Sequence, residues 1–211
     1  MSSWSQSREL TKQSWAILRE HKYLLAYPVL GVIVCILPLI VAAPGVFFLA
    51  NDQNWIGYAL LIVALYLFTL IMTLFQAGLV VSADAALAGQ KSSLGHGMGG
   101  AMGRFGVLSR WAFVNTLVSL LIGLLRGNNN AGLVEVLFRA VLAAAAGVMW
   151  QLVSFFVLPA MMLDDMGMIA AIKKSALTFK ERWGTQLSGG VRIGGLLGLL
   201  VVLPEIGRAH V

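Results

Sequence analysis

The chain has 211 residues, 59% of them hydrophobic and 11% charged, with a mean hydropathy of +0.85 and a formal charge of +6. Soluble domains carry about 25% charged residues, so this composition excludes a surface that faces water on all sides and makes the chain a membrane protein. The basic excess lies beside apolar runs rather than in a separate domain, which is the pattern of cytoplasmic loops and argues against a nucleic-acid partner.

Residues 1–15, MSSWSQSRELTKQSW, lack the short apolar core and cleavage site of a signal peptide, so the first span is expected to act as its own uncleaved signal. Residues 4–22 read as an interfacial helix, with Leu10, Ser14, Trp15, Ile17 and Leu18 on one side and Arg8, Lys12 and Arg19 on its flank. Residues 23–50 carry no formal charge and are long enough to cross about 30 Å of hydrocarbon, while Pro28, Pro38 and Pro44 predict a kinked or broken helix. Cys35 lies inside this run and reads as a small buried hydrophobe; a single cysteine forms no internal disulfide. Residues 51–54 make a polar turn. Residues 55–83 are the second span, anchored at its start by Trp55 and Tyr58 and holding Gln76 as its one strongly polar side chain.

Asp84 ends that span, and residues 89–103 form a glycine-rich connection carrying Lys91 and His96, followed by Arg104. Gly95, Gly97 and Gly100 fit GxGxxG literally, but a dinucleotide fingerprint needs a preceding strand, and a membrane span stands there instead. A flexible connection is the expectation. Residues 105–125 are the third span, with Arg110 close enough to one end to snorkel to the headgroups. After a turn at 126–132, residues 136–163 give the fourth span, with small residues at 140–147 for close helix contact and Pro159 at its exit.

Residues 163–183, LDDMGMIAAIKKSALTFKERW, read as an amphipathic helix with Ile169, Ile172, Ala176, Phe179 and Trp183 on one face and Lys174, Thr178, Glu181 and Arg182 opposite. Asp164 and Asp165 are placed to accept its first free amides, and Lys180 and Arg182 to favour its C-terminal dipole. Membrane-length flanks put the apolar face at the headgroup boundary. Residues 184–203 are a fifth span, whose Gly190, Gly194 and Gly198 form a small-xxx-small seam. Residues 206–211 can be encoded by ATC GGA AGA GCA CAC GTC, a widely used sequencing adapter; the expectation is a native chain that continues beyond about residue 205 into a sixth span.

Lys and Arg gather in the N-terminal segment (Arg8, Lys12, Arg19, Lys22), the second connection (Lys91, Arg104) and the fourth (Lys173, Lys174, Lys180, Arg182). The opposite loops hold only Arg126 and the nearby Arg139, which places the N-terminus and the long connections in the cytoplasm. An internal repeat accompanies this: KQSWAILREHK at 12–22 aligns without gaps with KKSALTFKERW at 173–183, and Arg104-Phe105-Gly106 echoes Arg182-Trp183-Gly184. Each copy opens an interfacial helix followed by a two-span hairpin, so the repeat is parallel. The expectation is one transmembrane domain over residues 1–205, with units at about 4–83, 90–163 and 166–205.

The opening SxxLTKQSWAILREHKYLLAYPVL, the exit FFVLPAMMLDD and the run AIKKSALTFKERWGTQLSGG resemble a group of uncharacterised bacterial integral membrane proteins, known only as a domain of unknown function. The resemblance covers nearly the whole chain in pattern and rests on Trp, Pro and Lys placements rather than chemistry. It implies a six-span inner-membrane protein and carries no catalytic residue over. This copy departs from the pattern in its GHGMGGAMG segment.

No catalytic residue, cofactor or metal site is expected, since His96 and His21 lack a second ligand at metal spacing. Asp84, Asp164 and Asp165 are the acids that could form a cluster, although helix capping accounts for the last two. Gln76, Asn115, Gln151 and Ser154 are polar groups at membrane depth, expected to bond between helices rather than to line a path. The fold class is all-α, a polytopic transmembrane bundle with interfacial amphipathic helices between hairpins, five spans being visible of an expected six. The function expected is a noncatalytic scaffold or lipid-interface module, with membrane lipids and a second copy or a partner membrane protein as its contacts. A transporter or permease subunit using Gln76, Asn115 and Gln151 is the alternative, and a lipid-headgroup enzyme using the three acids a further one.

Overall fold

The computed structural model describes residues 15, 19–125 and 133–181. The fifth predicted span with Gly190, Gly194 and Gly198, together with Lys12, Arg182 and the last six residues, lies outside them. Every regular element among the described residues is helical. A 3-10 turn, Lys22–Leu25, leads into α1 (Ala26–Val34) and α2 (Ile36–Ala50); then come α3 (Asn54–Leu87), α4 (Leu94–Gly103), α5 (Phe105–Leu125), α6 (Leu133–Phe155) and α7 (Val157–Met162). Residues 168–181 form α8.

Four of these stretches are long and apolar enough to cross a membrane: Lys22–Ala50, Asn54–Leu87, Phe105–Leu125 and Glu135–Met162. In their most apolar windows only 11% to 22% of residues are buried within the protein. Side chains such as Leu39 and Ile40, each 65% exposed, therefore meet lipid rather than other side chains. This is the solvent inversion that composition demands.

Proline sets the interruptions. A proline cannot donate to the carbonyl four residues before it. α1 stops at Val34, four residues before Pro38, and α6 stops at Phe155, four residues before Pro159. Pro28 sits in the first turn of α1, where a missing N–H costs little, and Pro44 is carried inside α2 without a break. α2 and α3 then pair through glycines: a Cβ on Gly57 would lie 2.5 Å from Leu49 Cγ and 2.9 Å from the Gly45 carbonyl.

The second span is longer than its apolar run predicts, because α3 continues past Asp84 to Leu87. Its 34 residues make about 51 Å of helix, well beyond a hydrocarbon core of about 30 Å. The surplus projects at one end of the bundle, and there the core sits. Ala77 of α3, Ala101 of α4, Leu108 and Trp111 of α5, Val157, Leu158, Ala160 and Met161 of α7 and Ala171 of α8 form one buried cluster. The expected flexible connection at 89–103 is thus corrected: most of it is α4, packed on α3.

Candidate functional site at the helix-capped end

Three elements meet where Tyr27 reaches across from α1. Tyr27 is 1% exposed, its hydroxyl lies 2.6 Å from the Ser82 hydroxyl of α3, and it donates to the Leu94 carbonyl at 3.0 Å at the start of α4. Ser82 in turn approaches the Ser93 carbonyl at 3.3 Å. Ser93 is the N-cap of α4, accepting the His96 amide at 3.2 Å, so one serine ends the loop and starts the helix. The approach is close enough to demand glycine. A Cβ on Gly97 would stand 2.1 Å from the Tyr27 hydroxyl, 2.2 Å from that of Ser82 and 2.3 Å from the Gly78 carbonyl. The GxGxxG run is therefore a packing surface of a helix, not a loop around phosphate.

A second junction is built on Arg104, the residue between α4 and α5. Its guanidinium donates to the Met161 carbonyl in the last turn of α7 and to the Met166 carbonyl at 3.2 Å, and it pairs with Asp165. A cation at a helix C-terminus satisfies carbonyls that have no intrahelical partner. Asp165 has a φ of +56°, the left-handed turn that lets the chain double back from α7 into α8. Asp164 accepts from Lys174 at 2.8 Å, bridging the turn and the middle of α8.

These pairs differ from the capping expected of Asp164 and Asp165. α8 starts at residue 168, beyond reach of the predicted cap positions, and the two acids tie the turn to cations instead. The buried face of α8 also differs. Ala171, Ser175 and Phe179 are buried and Ile172 is half-buried, whereas Ile169 is 78% exposed and Ala176 is exposed. Small side chains at 171 and 175 allow a close approach, and the Ser175 hydroxyl donates to the Val153 carbonyl of α6. Ile169 and Leu177 are left facing outward beside Lys173 and Lys180.

The polar residues expected at membrane depth are not brought together. Asn115 accepts from the Trp150 indole at 2.8 Å, and Trp150 stacks on Trp111 with centroids 5.6 Å apart. Gln151 is exposed on the outer side of α6. Gln76 is also exposed, although its sequence neighbour Ala77 belongs to the buried cluster. The Ser154 hydroxyl is buried without a partner among the described residues. Asp84 is exposed and makes no side-chain bond to Asp164 or Asp165. Arg110 is exposed, as snorkelling requires, and Arg19 lies 5.6 Å from the Trp15 ring.

Sequence reasoning missed Tyr27, Ser82, Gly78, Gly97 and the role of Arg104. A signal was present for some of them: Gly78 with Ser82, and Gly97 with Ala101, are small residues four apart on facing helices, the pattern that lets membrane helices approach. No characterised protein and no solved structure is recognisably similar to the chain. Residues 55–206 match the family described as "Family of unknown function (DUF6159)". That match runs from the start of the second span to beyond the last described helix, and the chain belongs to this family.

Proposed function

We propose that the protein is a noncatalytic lipid-interface scaffold of the bacterial inner membrane, with its N-terminus in the cytoplasm. The observation that carries the reading is the buried cluster that locks α4 and α8 onto the ends of α3, α5 and α7. It makes a rigid platform at the end of the bundle where the Lys and Arg residues gather, and the cytoplasmic leaflet is the anionic one. Lys173 and Lys180, exposed beside Ile169 and Leu177 on α8, suit such a surface.

A repeat of interfacial helix and hairpin is consistent with helical residues before α1, with α4 before α5 and with α8 after α7. The scaffold reading is favoured here over the transport alternative because Asn115 accepts from Trp150 and both glutamines are exposed, so the three residues named for a path do not converge. Self-association through Gly190, Gly194 and Gly198 completes the proposal. Replacing these three by leucine is expected to convert an associated species to a monomer on a native gel, and the whole chain in liposomes is expected to move solutes no faster than empty vesicles. Unchanged migration, or flux above the empty-vesicle rate, overturns the reading.

A further inference from the structure

We infer a binding site for a phosphate-bearing zwitterion, of the phosphoethanolamine type, in the cavity between the start of the first span and the projecting end of α3. The cavity holds about 670 Å3, within the range of small-ligand pockets, and is a broadly open cleft rather than a closed chamber. Its wall from the first span is Glu20 and His21; its wall from the end of α3 and the following loop is Leu87, Lys91 and Ser92.

Two features of this lining point to a ligand. Glu20 and Lys91 carry opposite charges on one cavity, yet neither makes an ion pair among the described residues. The Ser92 hydroxyl is buried and has no hydrogen-bond partner there, a cost that folding does not ordinarily leave standing. A molecule with an anionic and a cationic end answers both. Its phosphate takes the Lys91 ammonium, with His21 as a further donor, and draws the buried Ser92 hydroxyl out to it by rotation about χ1; its primary ammonium donates to the Glu20 carboxylate. Such a group is supplied either by a bilayer lipid or by a soluble phosphoethanolamine ester.

This inference rests on the reading of the chain as a lipid-interface module. The test is native mass spectrometry of the whole chain in detergent, titrated with dioleoyl phosphatidylethanolamine, phosphatidylcholine, phosphatidylglycerol and, separately, glycerophosphoethanolamine. The ethanolamine lipid is expected to be retained about tenfold over the choline lipid, whose quaternary ammonium has no N–H to give Glu20, and over the glycerol lipid, which has no cation. Glu20→Gln is expected to erase that preference, and Lys91→Ala to weaken every phosphate ligand. Binding of glycerophosphoethanolamine with the same dependence on Glu20 assigns the site to the soluble ester, and its failure to bind assigns it to the lipid. Equal retention of the three lipids without ester binding, or a preference that survives Glu20→Gln, overturns the inference. Absence of lipid selectivity in the unsubstituted chain, with native-gel association intact, removes the cavity alone, whereas solute flux removes the scaffold reading alone.

Discussion

Gly97 and Gly99 are two residues apart on one helix and answer to different physics. At Gly97 any side chain meets the Tyr27 and Ser82 hydroxyls and the Gly78 backbone, and a carbonyl cannot swing aside as a flexible side chain does. At Gly99 an added Cβ meets nothing within 4 Å, and the only consequence is a better helix former. Gly97→Ala is therefore expected to destabilise the folded protein by about 1–3 kcal/mol or more, and Gly99→Ala to stabilise it by about 0.5–1 kcal/mol. Thermal melts in detergent read both, and an equal response at the two positions would contradict the packing of α4 on α3. The distinction was not legible in the sequence. Five glycines in the ten residues Leu94–Gly103 argue for a flexible loop on propensity alone, and only the contact with Tyr27 and Gly78 shows which glycine is obligatory.

Between elements, the ends of helices carry more information than their middles. The break before Pro38 was legible, because a missing N–H acts at a fixed distance of four residues and α1 ends there; Pro159, read as the exit of the fourth span, ends α6 four residues earlier at Phe155, and Pro44 breaks nothing. The tie between α5 and α7 was not legible, because it depends on a guanidinium reaching two carbonyls far away in sequence. Arg104 reads locally as one more cytoplasmic cation, but its fork matches two acceptors at once, and lysine offers a single point charge. Arg104→Lys keeps the charge and is expected to cost about 1.5–3 kcal/mol of stability, the worth of hydrogen bonds to a charged donor. Asp165→Asn is expected to cost much less, since that carboxylate side chain is 93% exposed and its pairing is screened by water. Equal losses in chemical or thermal denaturation would assign the clasp to the ion pair rather than to the helix end. The α8 helix shows the same limit: periodicity gave a helix there, while the small Ala171 and Ser175 chose its buried face.

Across the whole molecule, the apolar runs are the part of the fold that composition dictates, and four of them appear as helices of membrane length. Where the core lies is a different matter. In water a bundle buries its middle; in lipid the middle can stay exposed, because hydrocarbon solvates leucine as well as a neighbouring helix does. The buried cluster accordingly forms at the end where α3 outgrows the membrane and α4, α7 and α8 gather around it. Hydropathy reports which residues avoid water and is silent on which of them avoid lipid, so Tyr27 and Arg104 carried no mark and Ser82 was marked only by its small-residue spacing from Gly78.

The central claim is that this end faces the cytoplasm and the 51–53 turn faces the opposite side. Cysteine labelling in intact cells with a membrane-impermeant maleimide tests it, using Gln53→Cys and Lys173→Cys separately in a Cys35→Ala background. Both positions are exposed. The account predicts that cysteine at 53 is labelled from outside, and that cysteine at 173 is labelled only after the cells are opened. Labelling of 173 in intact cells, or the same accessibility at both positions, would contradict it.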